Sequence, residues 1–433
     1  MSAVRLSSIL ELKKYIPILG LRSLSVFLLF LANLLLARIA SSAAEFGSFL
    51  LWLTCLNILV ILLKFGVDTG AIRFVSAYKT IHKCSVIAAY RDYSLKKIIK
   101  NSFFAAMLLV IYYFSGYEFF DSFSSVYCIY LALAGFLLAH SQYRRGELIG
   151  AGLPKLSEAG ESLLRPVSLI AVAAYFLSEG PPLNAVDLIQ VLTVILLVTS
   201  LVMFLVANFF LPLKNVMPRD PLKNELAEWS RSTRGMATNV FVRQVIKSAD
   251  ILFCALFLSP EEVAFYAVAS RLADVVVFAL TSLNLIFAPT ISGLYAEGKK
   301  DALNLYLRNT SRLVFFIGGF MFLLIFFCGE NLLGLYGEEY TESYYALLIL
   351  AFGQLINSFF GSSGYVASMT GHQGELTKAL MISAVISCFL YIVLLPMMGI
   401  LGAAIASMSG TVCWNVVVSN RMTSVENLKS RAF

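Results

Sequence analysis

Charge is what this 433-residue chain has least of: Asp, Glu, Lys and Arg together make up only 14% of it, against about 25% in an ordinary soluble domain. With 59% hydrophobic residues, a water-soluble core is excluded. Histidine is nearly absent, and His82, His140 and His372 lie far apart, so their spacing offers no metal cluster and no metal or cofactor is expected. The seven cysteines are scattered, mostly in apolar runs, without a CxxC pair, and read as small packing residues. The basic connections contain no Gly-rich phosphate loop and no Asp-rich metal motif, and no outer connection exceeds about 18 residues, too short for a hidden domain. An enzyme such as a glycan polymerase or a membrane glycosyltransferase is therefore not expected.

What is present is a series of apolar windows. They fall near Ile16 to Ile39, Phe46 to Phe65, Ile99 to Phe114, Val126 to Gln142, Pro166 to Ser178 and Leu188 to Leu211. A second series lies near Thr238 to Leu258, Ala264 to Ala288, Leu313 to Cys328, Tyr345 to Ser363, Lys378 to Met397 and Leu401 to Val418. Each is a candidate membrane span. Lys13 and Lys14 before the first run, and the small residues from Ala37 to Ala44, resemble a cleavable signal, but the run is too long and contains Arg22, so it is expected to be kept as the first span.

Basic residues occupy one set of connections, from Arg73 to Lys100, Arg144 to Lys155, Lys214 to Arg234 and Lys299 to Arg312. The alternate connections, around Glu45, Glu118 and Asp121, Glu179 and Asp187, Glu261 and Glu262, and Glu330 to Glu342, contain no Lys or Arg. This alternation is the positive-inside pattern, so the net charge of +7 is read as topology and not as a nucleic-acid surface. Both termini are expected in the cytoplasm, in a cytoplasmic (inner) membrane.

The halves repeat. Laying Leu31 to Phe49 over Ser248 to Tyr266 aligns Asn33 with Asp250, Ser42 with Ser259, Glu45 with Glu262 and Phe49 with Tyr266, and Gly150-Ala-Gly152 echoes Met369-Thr-Gly371. Six crossings return the chain to its starting side, so the halves are expected to relate about an axis along the membrane normal. The expected fold is an all-α polytopic membrane protein with twelve transmembrane helices in two six-helix bundles around a central cavity. Residues 1–211 are assigned to the first bundle, 212–236 to a cytoplasmic linker and 237–433 to the second bundle with a short tail.

Several runs then become familiar. Leu258-Ser-Pro-Glu-Glu-Val-Ala-Phe-Tyr-Ala-Val-Ala-Ser-Arg271, followed by Ala288-Pro-Thr-Ile-Ser-Gly-Leu-Tyr295, resembles the central motif of oligosaccharide flippases. These are the polysaccharide-transport branch of the superfamily that includes multidrug and toxin extruders and lipid II flippases. Asn33-Leu-Leu-Leu-Ala-Arg38, Phe46-Gly47, Phe65-Gly66-Val67, Met369-Thr-Gly-His372 and Gly399-Ile-Leu-Gly-Ala-Ala404 are similar to that branch at corresponding places. The resemblance implies a flippase carrying a polyprenyl-pyrophosphate-linked oligosaccharide, for O-antigen or a related surface polymer, with membrane lipids and polysaccharide-assembly proteins as neighbours. The expected spans stop at twelve, without the additional pair of the lipid II branch, so lipid II is not the expected substrate. A cation-coupled multidrug extruder is the competing reading.

A pyrophosphate substrate needs cationic donors at membrane depth, and arginine supplies a planar fork. The candidates are Arg22 and Arg38 on the first span, Arg243 and Lys247 on the seventh, and Arg271 on the eighth. Charge in a bilayer costs about 2.5 to 3.5 kcal/mol on insertion scales and usually faces a cavity. Each has a plainer alternative. Arg22 sits roughly 9 Å inside the cytoplasmic end, within snorkelling reach; Arg38 can pair with Glu45; Arg243 can snorkel; and Lys64 is expected to do so. Lys247 with Asp250 and Arg271 with Asp274 are each three apart, the spacing of a helical ion pair. Alternatively Asp250 and Asp274 are ion-coupling carboxylates, released to take a proton or sodium when the substrate engages the cation. Aromatic residues, 13% of the chain, are read mainly as lipid-facing packing and interface belts.

The alternation of charge makes a direct forecast. Cysteines placed singly at Ser122, Asn184 and Glu339 react with an impermeant thiol reagent in intact cells, whereas those at Thr80, Asn215 and Lys299 do not. Labelling of Lys299→Cys from outside sinks the twelve-span topology.

Overall fold

The computed structural model describes residues 20, 24–80, 82–115, 125–211, 220–428 and 430–432. Helix dominates them, and their only strand-like pairing is one parallel bridge between Ala40 and Leu183. Among the described residues eight helices are long and apolar enough to cross a bilayer. The described residues divide into two compact units, one within 17–248 and one within 249–433.

The first unit contains α1 (Leu24–Ile39), α2 (Ala43–Lys64), α3 (Val67–Thr80), α4 (Cys84–Phe114), α5 (Ser125–Gly150), α6 (Pro154–Glu158), a π-helical turn (Ala159–Leu163), α7 (Leu164–Glu179), α8 (Ala185–Phe210) and most of α9 (Lys223–Phe257). The second begins within α9 and continues through α10 (Pro260–Ala296), α11 (Lys300–Gly334), a 3-10 turn (Glu338–Ser343), α12 (Tyr344–Phe360), α13 (Ser363–Met369) and α14 (Gln373–Glu426). Gly399, with φ 56° and ψ −134°, breaks α14 into two rods three residues after Pro396. Taken with α2–α3, α6–α7 and α12–α13 as broken rods, this order is consistent with twelve crossings.

The helices run well beyond the apolar windows on the basic side. The third window was expected to open at Ile99 but α4 begins at Cys84; the fourth was expected to close at Gln142 but α5 continues to Gly150; the ninth was expected at Leu313 but α11 begins at Lys300. Hydropathy registers only the part of a helix that sits in hydrocarbon, whereas backbone hydrogen bonding carries the helix on into the aqueous layer.

The acidic outer connections have a local cause besides topology. Glu45, Asp187, Glu261 and Glu262 all fall in first helical turns, where a negative charge meets the positive end of the helix dipole. Ser42 accepts from the Glu45 N–H at 3.2 Å and Ser259 accepts from the Glu262 N–H at 3.3 Å, so the two aligned serines are equivalent N-caps. The fainter echo is structural as well. Gly152 and Gly371 have φ of 82° and 84°, and in each case the next residue donates back five positions, Leu153 to Leu148 and His372 to Ala367. Both are helix endings of the Schellman type.

In the first unit, α9 is fastened near its start. Trp229 is fully buried, its ring 5.1 Å from Tyr90 and 5.5 Å from Tyr93, and its indole N–H donates to Tyr78 at 2.9 Å. Between α2 and α3 the chain turns through Phe65 and Gly66, φ 42° and 78°. A Cβ on Gly66 would stand 2.3 Å from the Thr233 carbonyl oxygen of α9. Gly371, which also has positive φ, faces open space. Gly66→Ala is therefore expected to lower the thermal unfolding temperature of the solubilised protein by clearly more than Gly371→Ala, since only the former adds a backbone clash to the αL penalty of about 1 to 2 kcal/mol. Equal shifts would show that the α2–α3 bend yields to α9.

Candidate functional site

Of the residues expected to carry transport, Arg22 lies outside the described residues. Arg38 is exposed near the end of α1, and Glu45 accepts from the Ala185 N–H of α8 at 2.7 Å. Arg243 and Lys247 occupy successive turns of α9 and are exposed. Among the described residues neither makes an ion pair or a hydrogen bond, so Lys247 is not spent on a structural bridge.

In the second unit, half-buried Asp250 accepts from the Tyr266 hydroxyl at 3.3 Å and from the Ile251 N–H at 2.8 Å. Tyr391 and Cys254 lie close to the same carboxylate, and Ser407 lies beside both phenols. Phe253 stacks on Tyr391 at 5.1 Å. Asp250 thus takes a hydroxyl donor from α10, with Tyr391 of α14 nearby. Arg271 is half-buried on α10 beside Tyr336. Asp274 is exposed and accepts from Gln354 at 3.3 Å. From Gln354 a chain of amides continues to Asn357 at 3.3 Å, to Asn415 at 3.0 Å and to Ser363 at 3.2 Å.

Sequence reasoning missed a dense ionic network in the first unit. Lys64, expected to snorkel outward, is buried instead, its ammonium 2.6 Å from Asp68 and 2.8 Å from the Gln142 side-chain oxygen. Glu147, fully buried, accepts from Arg91 at 2.7 Å, Arg144 at 2.7 Å and the Tyr143 hydroxyl at 3.1 Å. Arg144 also donates to His140 Nε2 at 3.3 Å, which leaves the imidazole proton on Nδ1, facing Ser200 at 2.7 Å. Arg145 pairs with Glu158 at 2.6 Å and lies 3.5 Å from Glu161 in the π-helical turn. Four cations (Lys64, Arg91, Arg144, Arg145) thus meet four carboxylates (Asp68, Glu147, Glu158, Glu161). Such a balanced cluster is built for architecture, since each burial penalty is offset by a neighbour.

The described residues form bundles of helices, eight of them long and apolar enough to cross a membrane. Residues 236–397 match the MatE family model. A multidrug resistance MATE family transporter of the MOP superfamily, in an inward-facing conformation, superposes with a TM-score of 0.75 at 12% identity, covering 94% of this chain and 99% of that one. The lipid II flippase MurJ, in an inward closed conformation, gives a TM-score of 0.71 at 12% identity, with coverage of 94% and 87%. A MOP superfamily transporter from Pyrococcus furiosus, described as having a binding pocket of reverse polarity, gives 0.62 at 15%, with coverage of 94% and 95%. The probable low-salt glycan biosynthesis flippase Agl15 of Haloferax volcanii is 23% identical over 183 residues, a match spanning 42% of this chain and 38% of that protein. Residues 236–397 thus match the MatE model, and the chain shares its fold with these solved transporters.

Glu147 provides the test of the buried network. Glu147→Ala strands two guanidinium groups, and breaking a buried pair in this way costs about 3 to 5 kcal/mol. The variant is expected to disappear from membranes on immunoblots, while Glu375→Ala on the more exposed pair with Lys378 leaves abundance near normal. Wild-type levels of Glu147→Ala would show that the network is not what holds the helices.

Proposed function

We propose that the chain is a flippase that moves a polyprenyl-pyrophosphate-linked oligosaccharide, an O-antigen or related surface-polysaccharide repeat unit, across the cytoplasmic membrane by alternating access. The observation that carries this reading is the state of the α9 cations. Arg243 and Lys247 are exposed on α9, within the stretch expected from sequence as the seventh span, and have no partner among the described residues. By contrast, Lys64, Arg91, Arg144 and Arg145 of the first unit are each paired with a carboxylate. A charge left open at such a cost is expected to serve a ligand of opposite sign. Arg271, Arg38 and Arg22 are the further cationic contacts of this reading, and Asp250, among its tyrosine hydroxyls, is the carboxylate to exchange a proton or sodium during the cycle, with Asp274 a second candidate.

The competing reading, a cation-coupled multidrug extruder on the same fold, draws on the MATE transporters among the structural neighbours. It calls for open acidic groups to hold cationic drugs, and Asp274, the exposed acid midway along α10, already accepts from Gln354. A transporter of this fold described as having reversed pocket polarity is in keeping with a change of ligand sign on one scaffold. The glycan flippase relative supports the lipid-linked class over its matched 42%.

Deleting the gene is expected to accumulate a lipid-linked saccharide on the cytoplasmic face. Complementation with Arg271→Ala or Arg22→Ala fails to restore polymer export at normal protein levels, Arg22→Glu is worse, and the Lys versions restore only part, because a point charge lacks the bidentate fork. Normal export by Arg22→Ala removes that residue from the site, as expected of an easily replaced interfacial anchor. Full rescue by Arg271→Lys sinks the fork argument. A deletion strain that accumulates no saccharide and becomes drug-sensitive sides with the extruder.

A further inference from the structure

A polar cleft of about 960 Å3 at the basic end of residues 249–433 takes no part in the reading above. The sequence sets its depth. From Leu313 to Phe327 α11 contains no charge, and Arg308 precedes this run by five residues, roughly 7.5 Å along the helix axis at 1.5 Å per residue. The lipid headgroup layer is about 5 to 8 Å deep on each side of the hydrocarbon. On α14 the apolar residues Val416 to Val418 give way at the corresponding end to Ser419 and Asn420. Arg308 and Asn420 both line the cleft, which therefore lies at the level of lipid phosphates.

The chain builds the far wall deliberately. After α14, Asn427 adopts φ 56° and the segment folds back, burying Leu428 and Ala432. Ser311 donates to the Ser430 carbonyl at 2.6 Å and Arg312 to the Ala432 carbonyl at 2.8 Å. Arg431 is held against the Phe360 ring at 5.6 Å and donates from Nε to Ser419 at 3.0 Å and from Nη2 to Asn420. The same lining includes Arg308, exposed and without an ion pair or hydrogen bond among the described residues. Asp301, also on the lining, is two turns nearer the aqueous end of α11. Two cations and one carboxylate give a net lining charge of +1, which suits one phosphodiester and not a pyrophosphate. The carboxylate at the aqueous side suits an ammonium beyond that phosphate. Leu305 lies on the same lining, and beyond Asn309 and Arg312 the same helical face continues with Phe316, Phe320, Leu323 and Phe327, all exposed, an apolar track for an acyl chain.

We propose that this cleft is a binding site for a phospholipid of the adjacent leaflet, with the phosphodiester held by Arg308 and Arg431, an amine-bearing headgroup turned towards Asp301, and an acyl chain lying along the exposed face of α11. The site lies within 249–433 and is independent of what the chain transports. The full-length protein, delipidated in mild detergent, is titrated with phosphatidylethanolamine, phosphatidylglycerol or inorganic phosphate and examined by native mass spectrometry. Phosphatidylethanolamine is expected to be retained in preference to phosphatidylglycerol, and both Arg308→Glu and Arg308→Gln to lose it by about tenfold or more, the worth of a hydrogen bond to a charged group. Asp301→Asn is expected to abolish the preference for the amine headgroup, and Lys299→Gln, outside the cleft, to change nothing. Unchanged lipid retention by both Arg308 variants overturns the site. Displacement of lipid by millimolar inorganic phosphate assigns the cleft to a soluble anion and overturns the lipid proposal. An unaltered preference in Asp301→Asn overturns the placement of the amine.

Discussion

One carboxylate decides how the first half of the molecule can be assembled. Glu147 is fully buried and receives Arg91 from α4, Arg144 from its own helix α5 and the Tyr143 hydroxyl. In an apolar body, removing an ion from water costs several kcal/mol unless the geometry of its partners is good, so α4 and α5 can meet in only one register. The remaining pairs extend the same logic. Lys64 ties the end of α2 to Asp68 across the Gly66 bend and to Gln142 of α5, and Arg145 ties α5 to the turn carrying Glu158 and Glu161. The half is set by closure of charge as much as by packing.

Much of the architecture was legible in the sequence because it depends on local physics. The number and order of apolar runs follow from bilayer thickness, and the repeat was visible in two capping serines and two positive-φ glycines that serve the same purpose in both halves. The ionic network was legible only in part. His140, Arg144 and Glu147 stand at i, i+4 and i+7, and Lys64 and Asp68 at i, i+4, so their spacing announces one helix face. They were lost because a hydropathy window ends where charges begin, and Arg91, Arg144 and Arg145 were then counted as aqueous loop. What no local pattern contains is the pairing of Glu147 with Arg91 or of Lys64 with Gln142, contacts 56 and 78 residues apart.

The second half solves burial by other means. Where residues 17–248 carry a cluster of buried ion pairs, 249–433 carries, besides half-buried Asp250 and Arg271, a run of neutral groups: Gln354, Asn357, Asn415 and Ser363 in sequence from Asp274, and Ser362 on Asn284 at 2.5 Å. A neutral hydrogen bond has a net worth of about 1 kcal/mol, against about 3 to 5 kcal/mol for breaking a buried ion pair. Amides also offer both donor and acceptor, so a partner can be exchanged without stranding a charge.

Helix α9 carries this contrast along a single rod. Its early turns are fixed by Trp229 among Tyr78, Tyr90 and Tyr93 and by the approach of Gly66 to Thr233. Its middle presents Arg243 and Lys247, and its later turns present Asp250. These three stand at i, i+4 and i+7, one face of the helix, over a rise of about 10 Å.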